Sequence, residues 1–160
     1  MKWPIRALYY SPATILFMPD IFHSFKIKAL PDKVFEGIST SKGLDNWWTK
    51  SSEEQPEMGG IYTLNFGAQY IWKAVVTKYE AGKAFELQMT TADLDWIETK
   101  IGFLLSYNNN ITEVDFYHSG WIELGEHFKI SSYCWAMYLR ILKRYIEFGE
   151  QVPYEKRLSV

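Results

Sequence analysis

Residues 126–149, EHFKISSYCWAMYLRILKRYIEFG, carry the pattern that decides the fold. At 100° per residue, Arg140, Lys143, Arg144 and Glu147 gather on one side. The opposite arc holds Ser131, Cys134, Trp135, Tyr138, Leu142 and Tyr145. Such an arrangement predicts one long amphipathic helix that needs a partner surface. Gly149 and Pro153 supply its stop. Its inward arc is unusual in offering a thiol and two phenols near the centre.

The partner surface is read upstream. In VDFYHSGW, residues 114–121, Val114, Phe116 and His118 alternate with Asp115, Tyr117 and Ser119. Alternate side chains of a strand point to opposite faces, so His118 shares the apolar face. FHSFKIKA, residues 22–29, does the same, with His23 beside Phe25 and Ile27. PDKVFEGIS (31–39) reads as a short helix, with Pro31 at its first position and a Val34, Phe35, Ile38 stripe. SKGLDNWW (41–48) reads as a second, and 49–58 as a polar loop. Strands then follow at 60–66, 70–80, 83–91, 96–106 and 111–120, divided by Gly, Asp and Asn turn signals. Short links of this kind join antiparallel neighbours. The order predicts an α+β fold: a curved antiparallel sheet of about six strands, two short helices after the first, and a long C-terminal helix. Sheet face and helix arc have only each other to bury against.

Composition narrows the function classes. The chain has 160 residues, with 7 Trp, 11 Tyr and 10 Phe. Trp and Tyr carry a polar atom that wants a partner, so an interior rich in them suits a pocket. Net charge is -2 and no basic stripe is present, which disfavours nucleic-acid binding by phosphate neutralisation. One cysteine, Cys134, excludes an internal disulfide and fits a reducing, cytoplasmic compartment. No apolar run reaches the length of a membrane span. Residues 1–17 are expected to be an extension outside the core, upstream of a start at Met18. Residues 18–153 form the expected domain and 154–160 a C-terminal tail.

From Asp20 to Pro153 the chain resembles the START-like, or SRPBCC, helix-grip superfamily. The resemblance is to the branch of the activator of the heat-shock-protein-90 ATPase, in its C-terminal domain. It is carried by IKALPDKVFEGIST leading into GLDNWW, then MGGIYTLNF, WIETKIGFLL, TEVDFYHSGW and CWAMYLRILKRYIEFGE. The resemblance implies a cavity between sheet and helix in which many relatives hold hydrophobic small molecules. Some relatives bind sterols, lipids or plant hormones, and others are polyketide cyclases. The chaperone-binding role belongs mainly to longer proteins with an extra N-terminal domain. Fold alone selects none of these.

The expected ligand-binding wall comprises His23, Trp47, Trp48, Tyr62, Phe66, Trp72, Phe116, His118, Trp121, Cys134, Trp135 and Tyr138. Each histidine reads either as a neutral core imidazole or as a polar spot on that wall. In the family topology the first and last strands are neighbours, which implies that His23 and His118 lie close. Cys134 reads as a packing thiol, or as a nucleophile or metal ligand beside the two imidazoles. No local signature surrounds it, so neither metal nor cofactor is expected. Glu98, Lys100, Glu113 and Asp115 read as a solvated outer face with cross-strand pairs. The expected function is binding of a hydrophobic or aromatic small molecule. The alternatives are an enzyme of cyclase or hydrolase type using inner His, Tyr or Cys groups, and a chaperone-interacting module.

Overall fold

The computed structural model describes residues 19–159; the expected extension, 1–17, lies outside them. Seven strands form one antiparallel sheet in the order β1-β7-β6-β5-β4-β3-β2. They are β1 (Ile21–Ile27), β2 (Ser51–Glu53), β3 (Ile61–Asn65), β4 (Ile71–Glu80), β5 (Ala84–Thr91), β6 (Lys100–Asn108) and β7 (Ile111–Ser119). Helices α1 (Pro31–Ser39) and α2 (Ser41–Leu44) follow β1, and α3 (Glu126–Phe148) packs across the sheet. This is the expected helix-grip architecture. From β3 to β7 each strand pairs with the next, and β1 returns to close beside β7.

Three boundaries differ from the sequence pattern. The polar stretch 49–58 contains β2, an edge strand of three residues with little apolar content to reveal it. The expected strand 96–106 begins only at Lys100. Residues 92–99 form a loop instead, with Glu98 at φ 68° and Trp96 folded inward at 6% exposure. As part of a strand, Trp96 would share the outward face of Glu98 and Lys100; the turn brings it inside instead. Residues 154–159, expected to be a tail, make a 3-10 helix whose Arg157 is buried. That guanidinium donates to the carbonyls of Val152 (3.0 Å), Thr49 (2.9 Å) and Asp45 (2.6 Å).

Local chemistry sets the helices. Leu30, extended before Pro31, starts α1 where proline lacks no needed N–H. Gly149 at φ 69° ends α3, its N–H donating to the Tyr145 carbonyl at 2.9 Å. Along α3 the buried stripe is Ser131, Trp135, Leu139, Leu142 and Ile146. Cys134, Tyr138 and Tyr145 are half-buried on one flank. The 3-10 helix packs on α3, and Ile141 is buried as well, so the inward arc is wider than the phase alone indicates. On the other flank Lys143 Nζ donates to the Lys26 carbonyl at 2.5 Å, and the Glu147 carboxylate accepts the Lys28 N–H at 2.7 Å. Both bonds tie the outer edge of β1 to the helix.

The outer face of the sheet also holds a polar cluster. Glu86 on β5 is 3% exposed and accepts from Thr77, Lys78 and Tyr117. Tyr117 reaches it from β7 by lying flat over Gly102 of β6, where a Cβ would stand 2.1 Å from the ring. Lys26–Glu113 (2.9 Å) is a cross-strand pair of the expected kind, and Lys100 reaches Glu86 at 3.7 Å.

Candidate functional site: an aromatic groove beside the long helix

His118 is fully buried, and its partners assign its protonation. The Trp135 indole N–H can only donate, and it donates to His118 Nδ1 at 3.0 Å. The proton therefore sits on Nε2, which donates to Thr99 Oγ1 at 2.9 Å. The Thr99 hydroxyl passes its own hydrogen to the Trp96 carbonyl at 2.6 Å. All three bonds run in one direction, linking α3, β7 and the 92–99 loop. A second proton on Nδ1 would face an indole N–H. Burial, with a smaller repulsion from His127, pushes the imidazole pKa down to about 3. The inward histidine of VDFYHSGW is thus a neutral connector with both nitrogens engaged.

Between sheet and helix the space is filled. Trp47 packs on Phe103 (6.1 Å between ring centroids), Phe103 on Phe116 (5.2 Å) and Phe116 on Trp135 (4.7 Å). Trp47 donates its indole N–H to the Gly37 carbonyl at 2.9 Å, and Tyr62 its hydroxyl to the Ser39 carbonyl at 2.5 Å. These residues belong to solid core.

The open space lies along the flank of α3, where a groove of about 200 Å³ is bounded by five aromatic rings in a closed circuit. Trp48 meets Phe66 at 5.3 Å, Phe66 meets Trp72 at 5.2 Å and Trp72 meets Trp96 at 4.9 Å. Trp96 then meets Trp135 at 6.1 Å, and Trp135 returns to Trp48 at 5.1 Å. Helix α3 supplies His127, Ser131, Cys134 and Tyr138, one helical stripe. Tyr154 closes a side, donating to the Phe66 carbonyl at 2.9 Å. Burial raises the Cys134 pKa, so the group is a thiol at neutral pH. Burial also raises the Tyr138 phenol, to about 12, with Tyr154 and Cys134 adding to the shift. His127 Nδ1 lies 2.7 Å from Asp95 Oδ2 at the rim. No lysine or arginine is among the described residues lining the groove.

Of the residues expected on a ligand wall, Trp48, Phe66, Trp72, Cys134, Trp135 and Tyr138 meet in this groove. Trp47, Tyr62, Phe116, His118 and Trp121 are almost wholly inside the core. His23 stands opposite Phe116 in the β1–β7 register, two pairs from His118. It lines a separate groove with Phe25, Leu139 and Lys143 on the other flank of α3. Trp135 fills the centre of the helix face and keeps the His23 and Cys134 sides apart. Sequence reasoning missed Trp96, His127 and Tyr154. Trp96 was read within a strand and Tyr154 within a tail. The i, i+4, i+7, i+11 spacing of His127, Ser131, Cys134 and Tyr138 was the signal available for His127. Among the described residues, no cluster of His, Cys, Asp or Glu has the arrangement to hold a metal. No helix there is long and apolar enough to cross a membrane.

Comparison with known proteins agrees with this architecture. Residues 28–147 match the family of activator of Hsp90 ATPase homolog 1-like proteins, and the chain belongs to that family. The solution structure of the Aha1 dimer from Colwellia psychrerythraea is 30% identical, with 83% of this chain and 99% of that chain covered and a TM-score of 0.75. Protein BH1534 of Bacillus halodurans is 23% identical over 81% of this chain and 97% of its own, with a TM-score of 0.68. CalU16 of Micromonospora echinospora shares the fold at 14% identity, over 88% and 83% of the two chains, with a TM-score of 0.66. No curated protein matches the chain.

Proposed function

We propose that this protein binds a hydrophobic or aromatic small molecule in the groove beside α3. The closed circuit of Trp48, Phe66, Trp72, Trp96 and Trp135 carries this reading. Ligand sites are concave, mostly apolar and aromatic, and hold few polar groups. A volume of about 200 Å³ suits a molecule of one or two rings rather than a sterol. Screening by thermal shift and native mass spectrometry tests it, with Trp72→Ala as the control variant. Trp72 is half-buried on the groove wall, so truncating it removes ligand contact without emptying the core. The expected result is a retained small aromatic whose stabilisation shrinks in the variant. A screen in which no aromatic compound is retained refutes the reading.

The catalytic alternative draws little support from its own residues. His118 has both nitrogens committed, and Cys134 is held as a thiol. The family match supports a second reading, as a chaperone-interacting module. Stimulation of a purified heat-shock-protein-90 ATPase by the full chain would favour it. No stimulation and no co-purification would remove it.

A further inference from the structure

Two indole N–H groups beside the groove have no partner among the described residues. Trp96 is 6% exposed and Trp121 1% exposed, and neither Nε1 finds an acceptor there. The fold provides for buried indoles elsewhere: Trp47 donates to Gly37 and Trp135 to His118. Leaving a buried donor unmade costs about 1–3 kcal/mol, and native proteins satisfy nearly all of them. The two orphans are neighbours, 5.8 Å apart between ring centroids, and both pack on His118, at 4.5 Å and 4.6 Å. His118 cannot help, because its only lone pair is taken by Trp135.

Trp96, itself one of the orphans, stands between Trp121 and the groove. One side meets Trp72 and lines the open space; another meets His118 and Trp121, which do not line it. Its backbone is held in the 92–99 loop, the N–H on the Asp93 carbonyl and the carbonyl on Thr99, so a turn of the side chain alone would join the two spaces with these bonds intact.

We propose that Trp96 is a movable partition, and that the groove takes a flat, uncharged aromatic molecule whose carbonyl-type oxygen accepts the Trp96 and Trp121 N–H groups. The proposal rests on the ligand-binding reading above and narrows its chemistry. The flat ring follows from the aromatic circuit. The acceptor follows from the orphans, since an indole can only donate. The absence of charge follows from the lining. No lysine or arginine of the described residues reaches the groove, His118 is neutral, the lining His127 is already paired with Asp95, and Arg157 Nε, Nη1 and Nη2 each bond a backbone carbonyl. A buried carboxylate there would lack compensation.

The test compares three probes on the full chain: a naphthyl methyl ketone, ethylnaphthalene of nearly the same shape, and dodecanoate. Affinity is read by tryptophan fluorescence, and the indole N–H signals by isotope-edited NMR. The ketone should bind at least about tenfold tighter than ethylnaphthalene, the equivalent of about 1.4 kcal/mol. Dodecanoate should bind more weakly than either. The ketone should move the Trp96 and Trp121 indole signals, which Trp96→Phe and Trp121→Phe assign. Trp96→Phe keeps a ring and removes a donor, so the ketone's advantage should fall. Equal affinity for ketone and hydrocarbon, or tighter binding of dodecanoate, overturns the proposal and leaves groove binding standing. Failure of all three probes to bind overturns both.

Discussion

Replacing His118 with phenylalanine should make the loss of stability depend on pH in a defined way. The substitution roughly preserves volume at a fully buried site, so little cavity forms. It removes the acceptor for the Trp135 N–H and the donor to Thr99. Thr99 keeps its bond to the Trp96 carbonyl, so the main cost is one orphaned indole, about 1–3 kcal/mol. That figure applies at pH 7.5, where the imidazole is neutral whether folded or not. The folded-state pKa is about 3 against 6.5 for a free imidazole. Between those values the unfolded chain binds a proton that the folded chain refuses. Stability from the neutral connector is therefore complete above pH 6.5 and is lost as pH falls, by about 1.4 kcal/mol per unit. Phenylalanine has no such dependence, and the other titrating groups cancel in the difference. Urea unfolding of both proteins at pH 7.5, 6.0 and 5.0, followed by tryptophan fluorescence, measures it. The advantage of the parent should vanish near pH 5, about 2 kcal/mol below its neutral value. A difference that stays constant across this range refutes the argument, because His118 would then titrate alike in both states.

Three further outcomes follow from the packing. Arg157→Ala should lower stability by about 1–3 kcal/mol, since it strips the Thr49 and Asp45 carbonyls of their guanidinium donors; a thermal melt unchanged from the parent would show that the 3-10 helix is not part of the domain. Gly102→Ala should cost about 1–3 kcal/mol by lifting Tyr117 off β6 and away from Glu86, and the Tyr117→Phe background should not relieve it, because the ring remains over the new Cβ. Leu142→Ala should cost about 2–5 kcal/mol and Arg144→Ala about 0.5 kcal/mol or less in chemical denaturation; equal losses would place the helical phase elsewhere.

The sequence by itself determined the types and order of the longer elements and the face each of those buries. Period-2 alternation in 22–29 and 111–120 and the helical stripe of 126–149 are local properties, set by backbone geometry and the exclusion of apolar groups from water. That is why the sheet, the long helix and the inward direction of His118 were legible, as were five of the rings that line the groove. Tertiary structure decided what alternation cannot encode. Trp96 and Tyr154 reach the groove because a loop and a C-terminal turn fold over it, and their positions depend on partners distant in sequence, such as His118 and Phe66. Arg157 is buried because carbonyls more than a hundred residues away converge on it. Whether the space between sheet and helix stays open depends on how ring volumes sum in three dimensions. Trp47, Phe103, Phe116 and Trp135 fill the centre, and the opening lies on the helix flank.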